Sequence, residues 1–82
     1  MIGDDGEHAA HLAEVGLRIK AWRVRRRVSQ DVLADRSSVS RVTLGSIEQG
    51  KHAATLTTYL KIVRALAVDL GDLVTERDAT WI

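Results

Sequence analysis

The sequence has no cysteine and no proline, and aromatic residues make up only 4% of it. Without cysteine no disulfide can form, so nothing argues for an oxidising compartment. Sparse aromatics and absent proline, beside 45% hydrophobic residues, suit an all-α bundle better than a sheet, which favours aromatic and β-branched runs broken by turn residues. The opening MIGDDGEHAA carries acids where a signal peptide carries basic residues ahead of an apolar run. No apolar stretch reaches the length needed to cross a bilayer, and the expectation is a cytoplasmic protein with no membrane association. Also missing are a glycine-rich phosphate loop and histidines clustered with paired carboxylates, so no nucleophile or general base stands out and an enzyme is not expected. His8 and His11 are helical neighbours with no third ligand nearby, which leaves a metal site without support. No cofactor is called for.

At 82 residues the chain is one small domain, in the size range that buries about 60% of the surface its unfolded form exposes. The net charge of +1 hides a sharp division. Arg18 to Lys51 holds nine basic residues against three acids, a local +6, while the remainder carries −5. Such asymmetry suits contact between that stretch and a polyanion.

Residues 1–8 are polar, hold two glycines and lack periodicity, and read as a flexible N-terminal tail. A domain over 9–76 and a C-terminal tail over 77–82 complete the division. From Ala9 to Arg26, the apolar residues Leu12, Val15, Ile19 and Trp22 recur at helical spacing, which predicts an amphipathic first helix. Its basic end, RVRRR, has two readings: a solvated end matched to the helix dipole, or a phosphate-contacting end in which Arg26 and Arg27 take part.

Ser29 is a good N-cap for a second helix over Gln30 to Arg36 that buries Leu33 and Ala34. Ser37 and Ser38 break the pattern, and Ser40 caps a third helix from Arg41 to Gln49 in which Leu44 and Ile47 turn inward. Gly50 suits a left-handed ending. Thr55 caps a fourth helix, Leu56 to Ala67, with Leu56, Tyr59, Leu60, Val63 and Leu66 as its inner face. Asp69 opens a short fifth helix, Leu70 to Glu76, and Trp81 and Ile82 form an apolar end that needs the core or a partner.

Two short helices across a tight turn, the second with small polar residues outward, have the spacing of a helix-turn-helix. A helix enters the major groove only if its exposed face is slim and can hydrogen-bond base edges; Arg41, Thr43 and Ser46 meet that requirement. The ordered series Ser29, Gln30, Leu33, Ala34, Val39, Ser40, Leu44, Ile47, Glu48, Gly50, Leu56, Leu60, Leu66, Val68 and Leu73 resembles the Xre/Cro type of helix-turn-helix, the lambda-repressor-like fold. The resemblance covers roughly Val15 to Val74 and implies a five-helix bundle with the third helix as the recognition helix.

Carried onto this sequence, the resemblance places base contacts at Arg41, Val42 and Ser46, with Ser40 and Thr43 near the DNA backbone. It gives Gln30, beside Ser29, a phosphate contact and a bracing role, sets Lys51 and His52 in a loop along the backbone, and pairs Arg23 with Glu48 as a structural ion pair. Arg41 has the fork to bond guanine O6 and N7, the alternative being a phosphate contact, and Val42 would meet a thymine methyl. Arg27 and Ser38 stand where the family commonly has glycine, so a left-handed backbone there carries a cost. Gly45 inside the third helix implies either close approach of the backbone to DNA or to a neighbouring helix, or simple tolerance.

The expected protein is a small bacterial or phage transcriptional regulator, a repressor binding a pseudo-palindromic operator on double-stranded DNA as a homodimer. Leu70, Leu73, Val74, Trp81 and Ile82 are the candidate dimer contacts. An autoregulatory antitoxin with a toxin partner, a restriction-modification controller, and a protein-interaction adaptor that keeps the fold without reading DNA are the alternatives.

Overall fold

The computed structural model describes residues 5–74, with side chains from Ala9 onward. The elements are α1 (Asp5–Arg25), α2 (Gln30–Ser37), α3 (Arg41–Glu48), α4 (Leu56–Leu66) and α5 (Gly71–Val74). The architecture is an all-α, five-helix bundle in which α1 packs on α3 and α5, and α2 packs on α3 and α4. Helix α1 begins at Asp5, inside the stretch read from sequence as a tail.

The expected caps form locally. Ser29 Oγ accepts from the Val32 N–H at 3.1 Å, Ser40 Oγ from Thr43 at 3.0 Å and Thr55 Oγ1 from Thr58 at 3.2 Å. Each satisfies a donor that the first turn of its helix leaves open. At the start of α5 the carboxylate of Asp72 accepts from the Asp69 N–H at 3.0 Å, the return half of a capping box.

One side chain or more from every helix meets at the centre. Ile19, Leu33, Leu44, Ile47, Ile62, Val63, Leu66 and Leu73 are buried, with Val15, Trp22, Tyr59 and Leu70 packed around them. Two sequence readings change here. On α4 the inner face is Tyr59, Ile62, Val63 and Leu66, whereas Leu56 and Leu60 face solvent. Tyr59, Val63 and Leu66 turn inward as expected, while Ile62, on the side opposite the polar stripe of Thr57, Lys61 and Arg64, takes the buried place given to Leu56 and Leu60. Leu73 is fully buried, so it belongs to the core and not to a dimer contact. Of the other contact candidates, Leu70 is half-buried and Val74 is exposed, while Trp81 and Ile82 lie outside the described residues.

The turns adopt the backbone that the departures from glycine foreshadow. Arg27 has φ 59° and Ser38 φ 61°, and Ala67, which ends α4, has φ 60°. In each case the left-handed residue closes a helix end by donating its N–H to a carbonyl of the preceding turn. Gly16 allows α1 to lie directly on the end of α3, because a Cβ there would collide with the Ile47 and Glu48 carbonyls. This contact sets the distance between the first helix and α3.

Candidate nucleic-acid interface

Helix α3 stands on the bundle with Leu44 and Ile47 as its anchors. Its outward face carries Arg41, Val42, Thr43, Gly45, Ser46 and Gln49, with Val42 78% exposed. An apolar side chain that open on a monomer surface is available to a partner surface. No atom lies within 4 Å of a Cβ built on Gly45, which removes helix packing as the reason for that glycine.

The C-terminal end of α3 is locked from below. Glu48 is 5% exposed, and its carboxylate accepts from Arg23 Nε at 2.8 Å, Arg23 Nη2 at 3.1 Å and Gln30 Nε2 at 3.0 Å. Arg23 Nη1 also donates to the Val28 carbonyl at 3.0 Å. This bidentate pair ties α1 to α3, and Gln30 joins the first turn of α2 to the same carboxylate. Charge-assisted, two-pronged bonds of this kind fix orientation as well as distance. Gln30 thus has its amide nitrogen committed to bracing, with its carboxamide oxygen as the acceptor on the same group.

The remaining candidates divide. Ser29 and Ser40 use their oxygens as cap acceptors, and a hydroxyl so used retains its own O–H for donation. Arg27, Lys51 and His52 are exposed, and Thr43 and Ser46 are partly so. Arg26 braces the fold: its Nε donates to the Leu66 carbonyl at 2.9 Å and its Nη2 to the Ala67 carbonyl at 3.2 Å. Those carbonyls are orphaned at the end of α4, so Arg26 staples the first helix to the fourth. Arg25 and Arg26 also lie over the Trp22 ring, 4.5 and 5.2 Å from its centroid.

Sequence reading overlooked Lys20 at this site. It lines an open groove of about 540 Å³ together with Ala13, Leu17, Arg23, Gln30, Gln49 and Lys51. Two exposed lysines thus flank the braced network from α1 and from the loop after α3. The available signal was spacing, since Lys20 precedes Arg23 by three residues and shares its side of the helix.

A braced, slim, polar helix presented across a tight turn, with basic residues beside it, defines the Xre/Cro type of helix-turn-helix in a lambda-repressor-like bundle. The chain belongs to the helix-turn-helix domain family, whose model matches residues 14–76. It is 36% identical over 62 residues to the immunity repressor protein of Bacillus phage phi105, an alignment covering 76% of this chain and 43% of that protein. The chain therefore spans less than half the length of that relative. Among solved structures it is similar to the restriction-modification controller protein C.AhdI from Aeromonas hydrophila, with a TM-score of 0.76 and 31% identity over 78% of this chain and 97% of that one. An HTH_3 family transcriptional regulator from Vibrio cholerae matches with a TM-score of 0.77 and 27% identity, over 80% of this chain and 37% of that one.

Proposed function

We propose that this protein is a transcriptional repressor that binds double-stranded DNA by inserting α3 into the major groove. The observation that carries the reading is the outward face of α3, where Arg41, Val42 and Ser46 project from a helix keyed to the bundle by Arg23, Glu48 and Gln30. Arg41 offers a fork for guanine and Val42 a surface for a thymine methyl. Lys51, His52 and Arg27, joined by Lys20, supply phosphate contacts that set register, and the hydroxyls of Ser29, Ser40 and Thr43 add neutral donors. No helix among the described residues is long and apolar enough to cross a membrane.

One such helix covers few base pairs, so the operator has two half-sites about 34 Å apart, met by a homodimer. Leu70 and Val74 are candidate apolar side chains for that contact, and Leu56, Leu60, Leu17 and Val24 are exposed apolar residues elsewhere on the surface. Control of a restriction-modification operon is the second reading, supported by the similarity to the controller protein C.AhdI. Selection of bound duplexes from a random pool tests the proposal: it should return an inverted repeat with half-sites one helical turn apart. Failure to enrich any sequence would refute it.

A further inference from the structure

The first residue of α3 meets an acid where a DNA-binding surface should be uniformly basic. Arg41 Nε donates to Asp31 Oδ1 at 3.0 Å, and the two side chains are 57% and 81% exposed. An ion pair that open to water adds little to stability. A carboxylate there also repels phosphates; its place in the first turn of α2 matches the helix dipole, but that match does not account for the bond to Arg41.

Guanidinium chemistry supplies an explanation for that bond. The group has two hydrogen-bonding edges, one made by Nε with a terminal nitrogen and one by Nη1 with Nη2, and guanine O6 and N7 accept one such edge bidentately. Asp31 occupies the Nε side, and among the described residues neither Nη has a protein partner. The end-on edge is the one left for a base. Arginine loses much rotamer freedom when it is fixed on binding, and a partner that holds it beforehand reduces that loss. The same carboxylate penalises a swing of Arg41 onto a phosphate, and specificity is a difference between such alternatives.

We infer that Asp31 sets the base preference of this interface by aiming Arg41, holding its Nε side so that the Nη1 and Nη2 edge meets a guanine. The inference rests on the reading of α3 as the DNA-reading helix. Asp31 touches no base; it is a positioning residue that acts through Arg41.

The test uses duplexes recovered from a random pool with the wild-type protein, together with copies changed at each base pair and a scrambled duplex. Affinities are measured for wild type, Asp31→Ala, Asp31→Asn, Arg41→Ala and Asp31→Ala/Arg41→Ala, with circular dichroism melts to verify folding. Arg41→Ala should abolish a guanine preference at one base pair. Asp31→Ala should weaken that preference about two- to tenfold, the scale of immobilising one long side chain, while binding to the scrambled duplex holds or rises. Asp31→Asn keeps an acceptor oxygen and should retain more of the preference than Asp31→Ala. In the Arg41→Ala background, Asp31→Ala should leave every base preference unchanged.

If Asp31→Ala leaves the guanine preference intact while Arg41→Ala removes it, the aiming role is wrong and the reading of α3 stands. A change at a different base pair would mean that Asp31 reads a base itself, and an equal gain on every duplex would reduce it to a repelling charge; either overturns the inference. If no sequence is enriched, or Arg41→Ala keeps every preference, the underlying reading fails and the inference fails with it.

Discussion

Glu48→Ala should be among the most damaging single substitutions outside the apolar core. The wild-type carboxylate is 5% exposed and accepts three hydrogen bonds, two from Arg23, whose side chain is 12% exposed. Removal leaves a largely buried guanidinium with only the Val28 carbonyl as partner. Breaking a buried ion pair from one side costs about 3–5 kcal/mol, and the bond that survives, with the small residual exposure, brings the expectation here to about 2–4 kcal/mol. A domain of this length has a total stability of roughly 4–12 kcal/mol, so the loss is a large share of it. Urea unfolding followed by circular dichroism should show a lower midpoint at unchanged slope, and melting should fall by roughly 10–25 °C. Glu48→Gln, which keeps one acceptor, should lose about half as much, on the order of 1–2 kcal/mol. Arg23→Ala combined with Glu48→Ala should cost less than the sum of the single changes by about 0.5–3 kcal/mol. A Glu48→Ala protein within about 0.5 kcal/mol of wild type, the usual range for surface changes, would refute the idea that this network holds α1, α2 and α3 in register.

Gly16→Ala should destabilise the fold by about 1–3 kcal/mol, because the new methyl meets backbone carbonyls of α3 that cannot rotate away; a neutral result in urea would mean that α1 is free to shift. Gly45→Ala should do the opposite, raising stability by about 0.8–1 kcal/mol through helix propensity, since open space surrounds that position; a thermal melt that does not rise would contradict it. A companion binding assay on selected duplexes decides why glycine is there, as lost affinity points to close approach of DNA and unchanged affinity to tolerance. Specific and non-specific DNA binding should both weaken as salt increases, with a slope of about −0.9 per phosphate neutralised, and a flat response would count against DNA as the partner.

What the sequence made legible was chiefly local. Ser29, Ser40 and Thr55 declare three helix starts because an N-cap acts on a donor three residues away, and Leu33, Leu44, Ile47 and Leu66 fall inward wherever apolar residues occupy one side of a helix only. On α4 the polar stripe of Thr57, Lys61 and Arg64 does carry the phase, and the face expected from sequence was set too far round, with Leu56 and Leu60 in place of Ile62. Gly16 was not legible, since its function is set by the backbone of a helix some thirty positions away, nor was the left-handed Ala67, which no turn residue announces. For the candidate site, the outward face of α3 follows from its two anchors, whereas Lys20 and the Asp31 to Arg41 bond depend on how helices are placed around the turn.

The basic stretch shows why charge counts mislead about an interface. Its local +6 invites the view that Arg18 to Lys51 is a phosphate-binding surface, yet several of those charges are engaged within the protein. Arg18 bonds Glu14 and the Leu73 carbonyl, Arg23 is paired with Glu48, and Arg26 is committed to the end of α4. Arg41 is held by Asp31 on one edge. Arginine serves these places because its planar fork can satisfy several acceptors at once, while lysine presents a single strongly hydrated charge. Arginines at 18, 23 and 26 build the platform, and Lys20 and Lys51 are left exposed, which under the proposed function makes them the charges that track a phosphate backbone. With Arg18, Arg23 and Arg26 engaged within the protein, the salt slope per protomer should accordingly fall well short of nine neutralised phosphates.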